Sequence, residues 1–531
     1  MIQRVFTLVL FVHVSLLAQN LTIEFFDDKP KSLTKDFYIS QFLDQGITKK
    51  EAEKLLPQVK NLNPKLFRKF AKYINDFKRK TYCQKLQGKA FLGTNEDCVK
   101  QGLSLYKATK LSPTLLEKIA LQIERQNPKL ATQYIAISTK KFDNLIKLPP
   151  ALLLNTFNSV GGKFRKKHYD YTLSKSLIPK LVKEKAFNVT IEKIVRGEFP
   201  SLQQSLVDIN ASALNAESNF LLALNAIRYK KPSLALNYLT VSEEKAKFTF
   251  EKDKALFWQY LINKDKSILN TLKNSHEINI YSLRAYELLE EFPTNITRTI
   301  TPKTNNTLIN IQDPFAWINL KNKVKSMHFK DYEEKKNWVM QYNTPEMEPH
   351  ISRLLYRFKN NMHYYLTPYA EHLKSSAIER QILIYALARQ ESHFIPTEVS
   401  YSYALGMMQF MPFVAKDIAK KQKIENFQYE DMFKPKVAYK FANIHLDFLE
   451  KSVTHPLFIA YAYNAGIGFT KREILSKEYF QKGAYEPFWS LEMVPNAQAR
   501  KYGKRVLANY AIYAKFLGLN ITLNNLLRTI K

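Results

Sequence analysis

Scarcity of glycine is the tightest constraint this chain carries. Of 531 residues only 13 are glycine, and six of these (Gly406, Gly466, Gly468, Gly483, Gly503, Gly518) fall in the last quarter. Hairpins need glycine where the backbone takes positive φ, so residues 1–350 lack the turn chemistry of a sheet-rich domain. The expected fold class is all-α. A chain this long exceeds what one core supports and should divide into two or three domains.

Apolar spacing supports that expectation. Leu116, Ile119, Ala120 and Ile123 stand at i, i+3, i+4 and i+7, which gives one buried stripe. Residues 219–227 and 233–239, separated by Pro232 and the polar Tyr229-Lys230-Lys231, predict a helical hairpin, and 255–261 with 268–272 repeat the arrangement. No strict period marks a named repeat. Stacked helix pairs that bury their stripes against neighbours still make a curved α-solenoid, expected over residues 19–292. Residues 293–314 are polar, rich in threonine and asparagine and unpatterned, which predicts a linker or an irregular excursion. Helical pattern resumes at Phe315 and runs through Trp317, Leu320 and Trp338. Residues 293–351 are therefore expected to hold the linker and a small helical domain, and residues 352–531 a final domain.

The N-terminus, Met1 to Arg4 followed by the apolar residues 5–18, has the charged start and short apolar middle of a secretory signal. It is short for a membrane span, which needs about 20 residues. A cut after Ala18 leaves Leu16, a poor processing residue, near the cleavage point, so an uncleaved anchor is the alternative. No cysteine directly follows, which argues against a lipid anchor. Export to the periplasm is expected, with no stable membrane insertion after cleavage. Cys83 and Cys98 fit an oxidising compartment, and a bridge between them is favoured over two reduced, buried thiols or two cysteines too far apart to join. The formal charge of +32 calls for an anionic partner. Scattered lysines without a reading motif argue against nucleic acid. An anionic polymer outside the cell is the natural counter-charge, against the alternative of compositional bias with solvated lysines.

The chemistry concentrates at Glu391. Ile382, Leu383, Tyr385, Ala386, Leu387 and Ala388 form an apolar surface at helical spacing, and Pro396 stops the helix soon after Gln390-Glu391. Glu391 is thereby set at a helix C-terminus, where the dipole and apolar neighbours disfavour its ionised form and hold its proton to higher pH. A general acid needs that property. His393, His445 and His455 have no metal-ligand spacing. Neither H-E-x-x-H, a phosphate loop nor a dinucleotide fingerprint occurs, so no metal and no cofactor is expected.

The order of motifs extends the reading. Glu391-Ser392 is followed by Phe394, Pro396 and Ser400, then by Gly406-Met407-Met408-Gln409-Phe410-Met411-Pro412. Ala462-Tyr463-Asn464-Ala465-Gly466 comes next, then Val494-Pro495, Arg500, Tyr502 and Val506-Leu507. Together these resemble the catalytic domain of soluble lytic transglycosylases, the peptidoglycan-cleaving relatives of goose-type lysozyme. A weaker cue, Ala255-Leu256-Phe257-Trp258 followed by Ile280-Tyr281-Ser282-Leu283-Arg284-Ala285, is similar to the end of the helical superhelix in that family. The resemblance implies an N-terminal α-superhelical solenoid shaped as a horseshoe or ring, a small helical linker domain and a C-terminal lysozyme-like α domain. It implies cleavage of the β-1,4 bond between N-acetylmuramic acid and N-acetylglucosamine. Glu391 would act first as acid and then as base, so that the C6 hydroxyl closes a 1,6-anhydromuramoyl product. A water-using muramidase and a non-catalytic wall-binding scaffold are the competing readings. Peptidoglycan glycan strands are the expected partner, with other cell-wall enzymes beside them.

The supporting residues follow from the same motifs. Ser392 either hydrogen-bonds the glutamate or the substrate acetyl group, or caps the helix. Gly406 would let the backbone approach the sugar. Met408 and Met411 offer flexible apolar surface, and Gln409 offers both donor and acceptor. Tyr463 is expected to turn its phenol toward Glu391 or the acetamido group, with Asn464 beside it, and Gln498 and Tyr502 come from the closing motif. Three positions depart from the family pattern. Tyr403 stands in place of a glycine and would narrow or reshape the groove. Gln498 replaces a glutamate, which preserves hydrogen bonding and loses charge. Glu398 stands at a usually small or variable position, the nearest candidate for a second carboxylate, and is expected to be solvated.

Overall fold

Helix ends follow local chemistry along most of the chain. The computed structural model describes residues 21–305, 308–356 and 362–530, so the expected signal segment lies outside the described residues. Helix Pro113–Ile123 starts where the Ser112 hydroxyl accepts from the Leu115 N–H and a proline occupies the first turn. It buries Leu116, Ile119, Ala120 and Ile123, the stripe expected from spacing, against the next helix, Pro128–Ser138. The hairpin expected at 219–239 is formed by helices Ala216–Arg228 and Pro232–Glu244. Lys230 takes φ +56° at its turn, and the Lys231 N–H returns to the Ala226 carbonyl. Helices Thr249–Asn263 and Ser267–Lys273 continue the stack. The protein is all-α. Among the described residues the strand pairing is confined to Ile296–Thr297 lying parallel to His363–Tyr364.

That small pairing qualifies the expectation for residues 293–314. The segment is irregular, yet it is pinned: the Tyr365 N–H bonds the Thr297 carbonyl at 2.9 Å, and Glu348 accepts from the Ile300 N–H at 2.7 Å. Helices Pro314–Ser326, Tyr332–Val339 and Glu348–Leu355 follow and share a small core built on Trp317, Leu320, Val339, Met347 and Ile351, which Ile395 enters from beyond. The last of these helices runs through position 352.

The solenoid meets the C-terminal unit at both of its ends. Near the start, the Asn63 amide donates to the Tyr401 carbonyl at 2.9 Å and Phe37 meets Tyr403 edge to face at 6.0 Å. From the middle of the solenoid to its end, Arg196 Nε donates to the Glu492 carbonyl at 2.9 Å, Glu192 pairs with Arg500 at 2.9 Å, and Phe257 packs on Phe488 at 4.6 Å. The superhelix is thus a ring closed by the C-terminal helices, with one continuous apolar core running through both. Cys83 and Cys98 form a disulfide in the early solenoid. No helix among the described residues is long and apolar enough to cross a membrane.

Candidate active site

The central helix of the C-terminal unit, Ile378–Ser392, is buried without a break from Ile382 to Ala388. Helix Ala497–Phe516 lies along it and also packs on helix Pro456–Ala465. Asn509 ties the first two together, accepting from Arg389 at 2.9 Å and donating to the Ala386 carbonyl at 3.2 Å. The helix ends as expected: His393 takes the left-handed conformation, φ +54°, and its N–H returns to the Arg389 carbonyl. Glu391 occupies the last turn.

Glu391 faces a cavity of about 400 Å³, also lined by Glu398, Arg353, Tyr356, Arg505 and the solenoid residue Asn279. The residue is partly open to that space, while its carboxyl has protein around the rest of it. Burial pushes its pKa up to about 7, against the Tyr502 hydrogen bond, which pulls it down. The Tyr502 hydroxyl donates to Glu391 Oε1 at 2.7 Å. Burial, joined by the charges of Arg389, Arg353 and Arg505, holds His393 well below the usual histidine range. A neutral imidazole next in line leaves the glutamate without a charged histidine to ionise it.

The loop that follows carries four residues at positive φ: Phe394 (+66°), Tyr403 (+67°), Gly406 (+73°) and Gln409 (+51°). Isolated antiparallel bridges, Val399 to Leu405 and Leu405 to Phe410, fold it back on itself. Ser392 Oγ donates to the Met407 carbonyl at 2.8 Å, Tyr463 Oη to the Met408 carbonyl at 2.8 Å, and the Gln409 amide to the carbonyls of Gly406 (2.8 Å) and Glu398 (3.1 Å). Five of the expected site residues therefore act on one loop. Its polar groups are spent on its own shape, held over the end of the Glu391 helix.

Several expectations change here. Tyr463 makes no hydrogen bond to Glu391, although the charge of that carboxyl reaches its buried phenol; Tyr502 makes the bond, and Tyr463 secures the loop carbonyl. Ser392 bonds the loop, neither capping its helix nor meeting Glu391. Gly406 is required by its left-handed φ and by the Met432 carbonyl oxygen, which would lie 2.1 Å from an added Cβ. Met408 is fully buried. Met411 is half-buried and precedes helix Pro412–Lys421, and Asn464 is half-buried in the last turn of helix Pro456–Ala465. Gln498 is exposed in the first turn of helix Ala497–Phe516. The Tyr403 ring is buried edge to face on Phe37 of the N-terminal segment and is not among the residues lining the Glu391 cavity. Glu398 is not simply solvated: it lines the Glu391 cavity, accepts from Trp317 Nε1 at 3.3 Å and pairs with Lys321 at 3.5 Å.

Residues outside the motifs complete the site. Arg389 stacks on Tyr365 at 3.8 Å and donates to the Tyr364 carbonyl at 3.0 Å. Asn509 carried a usable signal, since seven residues after Tyr502 it falls on the same helix face. Trp317 and Lys321 carried none, being 74 and 70 residues before Glu391 in a separate unit.

Residues 369–485 match the family model described as Transglycosylase SLT domain. The soluble lytic murein transglycosylase of Salmonella typhimurium is 29% identical over 135 residues, 25% of this chain and 20% of that protein. The aligned part thus spans a fifth of the curated relative's length. Over the whole fold, the chain is similar to the crystal structure of the 70 kDa soluble lytic transglycosylase of Escherichia coli, with TM-score 0.51 and 15% identity, covering 93% of this chain and 88% of that one. A lytic transglycosylase of Pseudomonas aeruginosa aligns with TM-score 0.49, 13% identity and coverage of 93% and 88%.

Proposed function

We propose that the transglycosylase SLT domain at residues 369–485 works in this chain as a peptidoglycan lytic transglycosylase, acting on glycan strands in the periplasm. The observation that carries the reading is Glu391 with its proton held to about pH 7 at the wall of a cavity. Protonated Glu391 gives its proton to the glycosidic oxygen as the bond from C1 of N-acetylmuramic acid breaks. The substrate's acetamido oxygen steadies the positive charge at C1. Ionised Glu391 then takes the proton of the C6 hydroxyl as that oxygen attacks C1, which closes the 1,6-anhydro ring and restores the acid. One carboxyl serves both steps, and no water is consumed. A donor placed this way contributes roughly 10²–10⁴ in rate. The charge of +32 draws the protein toward a polymer bearing carboxylates.

One observation favours a second reading. Glu398 lines the same cavity, and two carboxyls about a sugar bond are the apparatus of hydrolysis. Mass spectrometry of digested peptidoglycan separates the two, because the anhydro product is one water lighter. Anhydro product from the natural protein and none from Glu391→Gln supports transglycosylation; hydrated product that disappears in Glu398→Gln would replace it with hydrolysis.

A further inference from the structure

Tyr502 touches Glu391 from a helix whose opposite face belongs to the solenoid. Lys504 stands two residues farther along helix Ala497–Phe516, about 200° round its axis. Its ammonium donates to Glu492 Oε1 at 2.7 Å and to the Tyr281 hydroxyl at 3.0 Å, and Tyr281 donates to the same Glu492 oxygen. All three are buried, with Lys504 2%, Glu492 1% and Tyr281 0% exposed, and Lys504 also borders the Glu391 cavity. Tyr281 has a firm mount in the first turn of the solenoid helix Ile280–Leu288. Asn279 caps that turn through the N–H groups of Tyr281 and Ser282, and its own amide donates to Asp253 at 2.7 Å.

We propose that Tyr281 is a positioning residue for the reaction: through Glu492 and Lys504 the solenoid fixes the rotation of helix Ala497–Phe516, and so the placement of Tyr502 against Glu391. The inference rests on Glu391 being the acid. Apolar contacts tolerate a helix that slides or turns slightly, whereas a buried ammonium stripped of its partners does not. The like charges acting on Lys504 are Lys254 and Arg500, and the Phe250 ring lies 5.3 Å from its ammonium; Glu277 and Glu391 line the cavity that Lys504 borders, and Glu492 is the carboxylate it is bonded to. A third face of the helix is fixed by Gly503, where an added Cβ would stand 2.3 Å from the Tyr461 ring.

The test uses the full chain and follows the Glu391 carboxyl by infrared titration, natural protein minus Glu391→Gln, beside kcat and KM on peptidoglycan. Tyr502 lowers the proton affinity of Glu391, so a loosened contact raises the midpoint. Tyr281→Phe should raise it, lower kcat roughly tenfold and leave KM within about twofold. Tyr281→Phe combined with Tyr502→Phe should match Tyr502→Phe alone, because both act through one contact. A folded Tyr281→Phe with lowered Tm but unchanged midpoint and kcat overturns the proposal, as do additive effects in the double variant. Should Tyr281→Phe not fold, Glu492→Leu/Lys504→Met, which removes both charges at similar volume, must show the same rise; failure of both to fold assigns the cluster to folding alone. A natural protein that releases no sugar would defeat the enzymatic reading, while the infrared midpoints would still decide the clamp.

Discussion

The Tyr502 hydroxyl donates to Glu391 Oε1 across 2.7 Å, joining residues 111 positions apart in the chain. The contact favours the ionised carboxylate, and burial opposes it. Burial prevails, and the balance leaves the carboxyl able both to give and to retake a proton near neutral pH. The mechanism proposed for Glu391, acid first and base second, would gain from such a poise.

Tyr502→Phe removes the donor that stabilises the carboxylate. The Glu391 midpoint should rise above about 7 and the alkaline limb of the pH–rate profile should move up with it. The rate below the optimum should fall roughly tenfold, because the carboxylate left behind by proton donation loses its support and Glu391 becomes the weaker acid. A pH series of kcat on peptidoglycan measures both effects.

Glu391→Gln should reduce sugar release by roughly 10²–10⁴ and also change stability in a pH-dependent way. The folded pKa of about 7 lies above the ordinary value of 4.5, so between these values the folded protein binds more protons than the unfolded chain. Stability is therefore lost as pH rises through that window. The amide avoids this loss: the variant should gain roughly 1–3 kcal/mol over the natural protein at pH 8 and nothing at pH 4. Denaturant unfolding at the two pH values checks the sign.

Gly406→Ala places a Cβ 2.1 Å from the Met432 carbonyl oxygen on a residue at φ +73°. Backbone cannot give way there as a flexible side chain would. The expected loss is about 2–4 kcal/mol, with sugar release falling because Met407 and Met408 present the carbonyls that Ser392 and Tyr463 hold. Urea unfolding and product release, read together, test this.

Replacing Cys83 and Cys98 by alanine removes a bridge across a sequence separation of 15. Stability should fall by about 3 kcal/mol in the chain-entropy model. Turnover of the folded variant should match the natural protein, since the bridge sits in the early solenoid. Thermal unfolding beside kcat distinguishes the two effects.

What the sequence determined by itself was local: the all-α class from scarce glycine, helix ends from caps and prolines, the 116–123 stripe from spacing, and Glu391 in the last turn of a buried helix. Each depends on residues within a turn or two of one another, so periodicity and capping reveal it. The tertiary structure decided which tyrosine meets Glu391. Tyr463 and Tyr502 are both aromatic positions on helices beside the acid, and only the packing of those helices around Gly503 and Tyr461 turns one hydroxyl to the carboxyl and the other to a loop carbonyl. It also decided that Tyr403 packs on Phe37, that Glu398 is held by Trp317 and Lys321, and that the solenoid closes on the C-terminal helices through Tyr281, Glu492 and Lys504. These contacts join residues tens to hundreds of positions apart, and their direction is set by how whole helices fit together, a quantity that no local pattern encodes.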